Sequence, residues 1–256
     1  MRAFKILGVV ALLVSQAHAE EKDARGWIEE MVQTVGSMEK LHALRDVEYR
    51  YTYRTPEGAE DVSTERYVFD GELSWAEYRT MRQMPEGVSS VVQGYDGRST
   101  WVTHDGRPVD DPQALRRADF LRKTNFYWLV MMQKLLDPGI GYEDLGPQDV
   151  DGVMYDRVKV TFGEDVGDAQ DTYVLYLHPK TRLVDRFLFT VMDFGKQEPH
   201  LMTVQYEEID GVMLPTKRAY VDSNWNGEIL GEEWVEETCE DVRFNNGFER
   251  SMFLGG

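Results

Sequence analysis

Between residues 135 and 221, apolar and polar side chains alternate in short runs at nearly even spacing. The runs cover 154–162, 172–177, 183–191 and 201–206. A period of two is what a half-buried strand requires, because successive side chains leave a strand on opposite faces. Turn signals separate the runs: Asp151-Gly152, His178 to Thr181, Gly195 to Pro199, and Asp210-Gly211. Gly tolerates positive φ, Pro fixes φ, and Asp bonds its own backbone. Runs this close leave no room for crossover helices, so the strands are expected to be antiparallel neighbours. The same reading predicts earlier strands at 47–55, 62–70, 73–81, 88–95 and 99–103, and later ones at 214–221 and 229–242. The total is about ten or eleven strands, which make a large curved sheet with one apolar face.

Two segments leave this period. Over 22–44, Trp27, Ile28, Met31, Val32, Val35, Met38 and Leu41 recur at three- and four-residue steps, which predicts one amphipathic helix. Over 112–137, Asp111-Pro112 makes a favourable helix start and Pro138-Gly139 a stop. Residues 114–123 are charged and amphipathic, whereas Phe126 to Met132 with Leu135 and Leu136 is a dense aromatic and apolar block. The fold class expected is α+β and mainly β: a strongly curved antiparallel sheet with helices against it.

Residues 1–19 read as an export signal. Arg2 and Lys5 precede a short apolar core at 6–14, and Ala17-His18-Ala19 fits the cleavage pattern. That core is shorter than the ~20 residues a spanning helix needs. A periplasmic protein without a lipid anchor is therefore expected, since the sole cysteine, Cys239, is far from the cleavage point and has no disulfide partner. Cleavage would leave 237 of the 256 residues as one domain, 20–256, with no composition break or linker. Loss of Arg2 and Lys5 takes the net charge from −18 to −20. Such a field repels phosphate backbones and argues against nucleic acid as a partner. A hydrophobic content of 42% argues against disorder.

The chain resembles the LolA-like lipoprotein-carrier superfamily, and within it a group of uncharacterised (DUF-type) periplasmic proteins. The resemblance rests on Tyr95 to Trp101 (YDGRSTW), Leu136 to Gly139 (LDPG) followed by Tyr142 to Gly146, and Asp151-Gly152 with Tyr155-Asp156. It continues in Tyr176 to Thr181 (YLHPKT) and Asp210 to Lys217 (DGVMLPTK). These are turn and strand motifs spread over most of 27–244. The resemblance implies an unclosed barrel whose concave side is plugged by helices, with lipid or lipoprotein acyl chains held between them. It implies a hydrophobic small molecule or lipid as ligand, a membrane or lipoprotein as a further partner, a monomer, and no cofactor. It supplies no catalytic residue, and no counterpart of the carriers' cavity arginine can be placed.

The block at 126–136 is the main candidate site. Phe126, Tyr127, Trp128, Met131, Met132 and Leu135 would line a hydrophobic cavity, or they would simply fill the core; burial of such side chains stabilises a fold either way. Asp222, Asn224, Asn226 and Glu233 fit the calcium-loop string D-x-[DN]-x-[DN]-G-x5-E, but their flanks read as strands, so a hairpin tipped by Asn226-Gly227 is the expectation and metal binding the minor alternative. The acidic run 164–171 reads as solvated surface. Catalysis has little support: the histidines lack metal-site spacing, no nucleophile elbow or phosphate loop is present, and acidic neighbours disfavour a Cys239 thiolate. The expected function is a carrier or binding protein for a lipid, acyl chain or other hydrophobic ligand held non-covalently. The alternatives are an interaction or regulatory scaffold without a small ligand and, as the lesser one, a hydrolase.

Overall fold

The computed structural model describes residues 23–163, 170–192 and 195–255. The expected export signal and most of the acidic run 164–171 lie outside them.

The chain starts with α1, Ala24–Val35, whose first turn is capped by the Asp23 carboxylate accepting from the Gly26 amide at 2.8 Å. Its buried stripe is Ala24, Ile28, Met31, Val32 and Val35. The single helix expected over 22–44 is two helices. Gly36 takes φ 90°, and Ser37 caps a second helix, α2, Met38–Leu44. A β-carbon at residue 36 would lie 2.9 Å from Val212 Cγ1, so glycine is required by contact as well as by φ.

Six strands follow as a meander: β1 Asp46–Arg54, β2 Glu60–Val68, β3 Leu73–Thr80, β4 Val91–Tyr95, β5 Thr100–His104 and β6 Arg107–Pro108. Helix α3, Pro112–Lys134, leads to a second meander of β7 Ile140–Val150, β8 Val153–Phe162, β9 Thr172–Leu177, β10 Val184–Val191, β11 Lys196–Ile209, β12 Val212–Asp222 and β13 Val235–Phe244. The last strand pairs with the first, antiparallel, Tyr51 opposite Cys239. The result is one 13-stranded sheet in the order β6-β5-β4-β3-β2-β1-β13-β12-β11-β10-β9-β8-β7. It is antiparallel throughout and unclosed, with β6 and β7 as edges and α3 carrying the chain from one edge to the other.

The sheet has thirteen strands among the described residues rather than ten or eleven; the two not expected are the edges, β6 and β7. The predicted strand 229–242 begins only at Val235. Residues 223–234 instead form a loop folded over the outer face. There Gln148 Nε2 donates to the Asn226 carbonyl at 3.1 Å, and Trp234 packs on a small cluster of Tyr155, Tyr176, Leu188, Leu201 and Val221.

The concave face holds the two largest core clusters. One joins α1 and the end of α3 to β8–β11 through Ile28, Met31, Met132, Leu135, Leu175 and Phe187. The other joins the middle of α3 to β1, β2, β12 and β13 through Tyr49, Tyr67, Phe126, Leu129 and Leu214.

Candidate functional site: a hollow beside helix α3

Helix α3 presents two stripes. Ala118, Arg122, Asn125, Leu129 and Gln133, at three- and four-residue steps, are buried against the sheet. The neighbouring stripe, Arg117, Leu121, Thr124 and Trp128, faces open space. That space is a hollow of about 1640 Å³ between helix and sheet. On the helix side Phe126, Tyr127 and Trp128 also line it; on the sheet side Tyr51, Tyr53, Tyr173, Phe189, Met202 and Tyr220 do. Exposed side chains of Glu57, Arg82, Lys196, Glu232 and Glu233 form part of the rim.

The aromatic lining is ordered by ring contacts. The Trp128 ring lies 5.3 Å from Phe189, edge to face, and 5.8 Å and 6.4 Å from Phe187 and Tyr173. Phe189 meets Tyr220 at 5.8 Å and His200 at 5.4 Å. Tyr53 and Tyr220 share a hydroxyl hydrogen bond of 2.8 Å. Burial lowers the His200 pKa despite the opposing Asp222 carboxylate 3.0 Å away, so the imidazole is neutral at pH 7.

A buried ion pair and a buried arginine of the sheet hold α3 in place. Arg122, wholly buried, donates from its terminal nitrogens to both oxygens of Glu65, at 2.5 Å and 3.1 Å, and to the Tyr78 hydroxyl at 2.8 Å. Asn125, Ser63 and Tyr67 donate to the same carboxylate. Burial pushes the Tyr78 phenol up to about 12, and the neighbouring Arg122 charge opposes that rise. Further along, Arg218 donates to the Trp128 main-chain carbonyl at 2.8 Å and lies 2.6 Å from Glu237, its cross-strand neighbour. Neither arginine lines the hollow.

The six candidates from the sequence divide. Phe126, Tyr127 and Trp128 line the hollow, Phe126 with its ring 5.3 Å from Tyr67. Met131, Met132 and Leu135 do not line it; they are buried in the cluster with α1. They continue the open stripe by one to two turns, at three- and four-residue steps beyond Trp128, but there α1 packs against the helix and its Ile28, Met31 and Val35 cover that side. Sequence reading missed the sheet half of the lining. Tyr51 and Tyr53, like Phe187 and Phe189, stand two apart on one strand, and that spacing was the available signal.

The calcium candidates are not gathered. Asn224 Oδ1 accepts from the Asn226 and Glu228 amides and so closes the turn, in which Gly227 has φ 80°, while Asp222 faces His200. Among the described residues no group of three or more His, Cys, Asp or Glu side chains converges on a metal position. His178 Nδ1 accepts from the Lys180 and Thr181 amides, both at 3.2 Å, and so closes its own turn. Burial pushes the Cys239 thiol up to about 12, which leaves it almost wholly protonated at neutral pH. On the outer face a polar depression of about 300 Å³ is lined by Glu48, Arg50, Arg79 and Arg243, with Glu48 held between Arg66 and Arg243. No helix among the described residues is long and apolar enough to cross a membrane.

No family model matches the chain, and no curated protein matches it. Solved structures do. A DUF1329 family protein from Desulfovibrio piger superposes with a TM-score of 0.54 at 14% identity, covering 90% of this chain and 97% of the other. A LolA superfamily protein from Nitrosomonas europaea superposes with a TM-score of 0.55 at 13% identity, covering 92% and 99%. These likenesses are likenesses of fold.

Proposed function

We propose that this chain, whose fold is LolA-like, is a periplasmic binding or carrier protein that holds a lipid or acyl chain non-covalently in the hollow beside α3. The observation that carries the reading is the hollow itself. At about 1640 Å³ it exceeds the ~300–1,000 Å³ of an ordinary small-molecule pocket, and its lining is rich in aromatic and aliphatic side chains. An apolar cavity of that size is occupied most favourably by apolar matter, since each methylene removed from water contributes about 0.8 kcal/mol. The export pattern at 1–19 supports a periplasmic setting.

These two contacts bear on how a ligand enters. Lifting α3 off the sheet would leave Arg122 and Glu65 buried and unpaired and would strip the Trp128 carbonyl of its Arg218 donor. Entry past the rim, between the loop carrying Glu57 and the segment carrying Glu232 and Glu233, leaves both contacts intact. Sheet and helix then form a rigid wall, and the exposed rim is the part that yields.

Organic extraction of the protein purified from its native host, followed by mass spectrometry, tests the reading. The expected result is a lipid or acyl species in near-stoichiometric amount. An extract empty of such species, from a protein that also fails to bind added acyl ligands, would reject it.

A further inference from the structure

One charged side chain in the hollow's lining is unlike the rest. The other charged groups there are exposed or half-exposed, whereas Glu237 is only 5% exposed. Its partner Arg218 lies behind it. The guanidinium reaches Glu237 Oε2 at 2.6 Å and the Trp128 carbonyl at 2.8 Å, and Arg218 is not among the lining residues. The hollow therefore meets the carboxylate and not the guanidinium. No described residue donates a hydrogen bond to Glu237 Oε1. Tyr51, also lining the hollow and 6% exposed, has a hydroxyl without a hydrogen-bond partner among the described residues. The Tyr53 and Tyr220 hydroxyls nearby satisfy each other.

Only Oε2, beside Arg218, is a fully buried atom, so Oε1 is the carboxylate oxygen open to the hollow; a ligand donor placed there makes a hydrogen bond to a charged acceptor that the protein leaves unmade. A ligand carboxylate in the same place would face a like charge at low dielectric. We infer that the hollow's ligand carries a hydrogen-bond-donating head group, a hydroxyl, amide or ammonium, received by Glu237 with the Tyr51 hydroxyl beside it, while its apolar chain lies along Trp128, Phe189 and Met202. Glu237 and Tyr51 then set specificity against free fatty acids. The inference rests on the carrier reading and narrows it to one ligand class.

The test is displacement of the fluorescent probe 1-N-phenylnaphthylamine at pH 7.5 by four ligands with twelve-carbon chains: dodecylammonium, monolaurin, laurate and methyl laurate. Dodecylammonium and monolaurin are expected to bind about tenfold or more tightly than laurate and methyl laurate, the scale of one hydrogen bond to a charged group. In Glu237→Gln the advantage of dodecylammonium over methyl laurate falls below about threefold. Tyr51→Phe leaves the Arg218–Glu237 pair untouched; it weakens monolaurin several-fold and leaves methyl laurate unchanged. If Glu237→Gln does not fold, the wild-type order and Tyr51→Phe decide. Laurate binding as tightly as dodecylammonium, a preference that survives Glu237→Gln, or a Tyr51→Phe protein with unaltered monolaurin binding would each overturn the assignment while leaving the carrier reading intact. Failure of all four ligands to displace the probe would overturn the carrier reading and this inference with it.

Discussion

Glu65 is the residue on which the upper half of the molecule is organised. It has no exposed surface, and it accepts from Arg122, Asn125, Ser63 and Tyr67. Removing one member of such a set leaves the other charge buried and uncompensated. Glu65→Leu is therefore expected to destabilise the protein by about 3–5 kcal/mol in urea unfolding, and the double variant Glu65→Leu/Arg122→Met by much less. A single variant within about 1 kcal/mol of wild type would contradict the role given to this pair. Nothing in the sequence announced it. Arg122 sits in a stretch of α3 that reads only as charged and amphipathic, and its partner lies on a strand far earlier in the chain. Three of the six candidate residues failed to reach the hollow for a related reason: Met131, Met132 and Leu135 continue the open stripe beyond Trp128, but α1 packs over that end of the helix, and the sequence does not say how far along α3 the first helix reaches. The polar residues that flank the apolar block, Arg117 and Thr124 on one stripe and Arg122 and Asn125 on the other, are placed only by the sheet they meet.

At the scale of elements, interior strands were legible and edges were not. Strands β1–β5 and β8–β13 each bury one face and keep an alternating pattern, or a run of buried residues where both faces are covered, as in β9. Strand β7, with Gly141, Gly146 and Pro147, lies at an edge where pairing is one-sided, so its sequence need not alternate and tolerates proline. Strand β6 has two residues, too few to show a period. The break between α1 and α2 was written in the sequence as Gly36-Ser37, a glycine followed by a capping residue, and the continuous apolar stripe masked it. Gly36→Ala would place a β-carbon against Val212 and force a backbone conformation that side-chain-bearing residues rarely adopt. A loss of about 1–3 kcal/mol is expected in thermal or urea unfolding, and a neutral result would show that the two helices can re-join without strain.

The whole molecule is two meanders closed into one sheet by β1 and β13, with α3 strung from edge to edge across the concavity. This arrangement makes a hollow unavoidable unless the helix fills it, and α3 does not, because its buried stripe meets the sheet, with Arg122 paired to Glu65, while its other stripe is left facing space. The pairing of the chain's first and last strands was beyond sequence reading, since turn signals fix only local partners. The resemblance to lipid carriers implied a cavity, while the residues of 126–136 alone left a filled core equally open; the aromatic sheet wall and the buried Glu237 carboxylate come from the structure.

Native mass spectrometry of the intact protein, purified from its own host without detergent, tests the central claim most directly. The account predicts a population heavier than the chain by the mass of one lipid or acyl species. That population should be lost in a folded Thr124→Trp variant, whose indole occupies the open stripe of α3. A wild-type spectrum showing only the bare chain, still bare after incubation with acyl ligands, would contradict it.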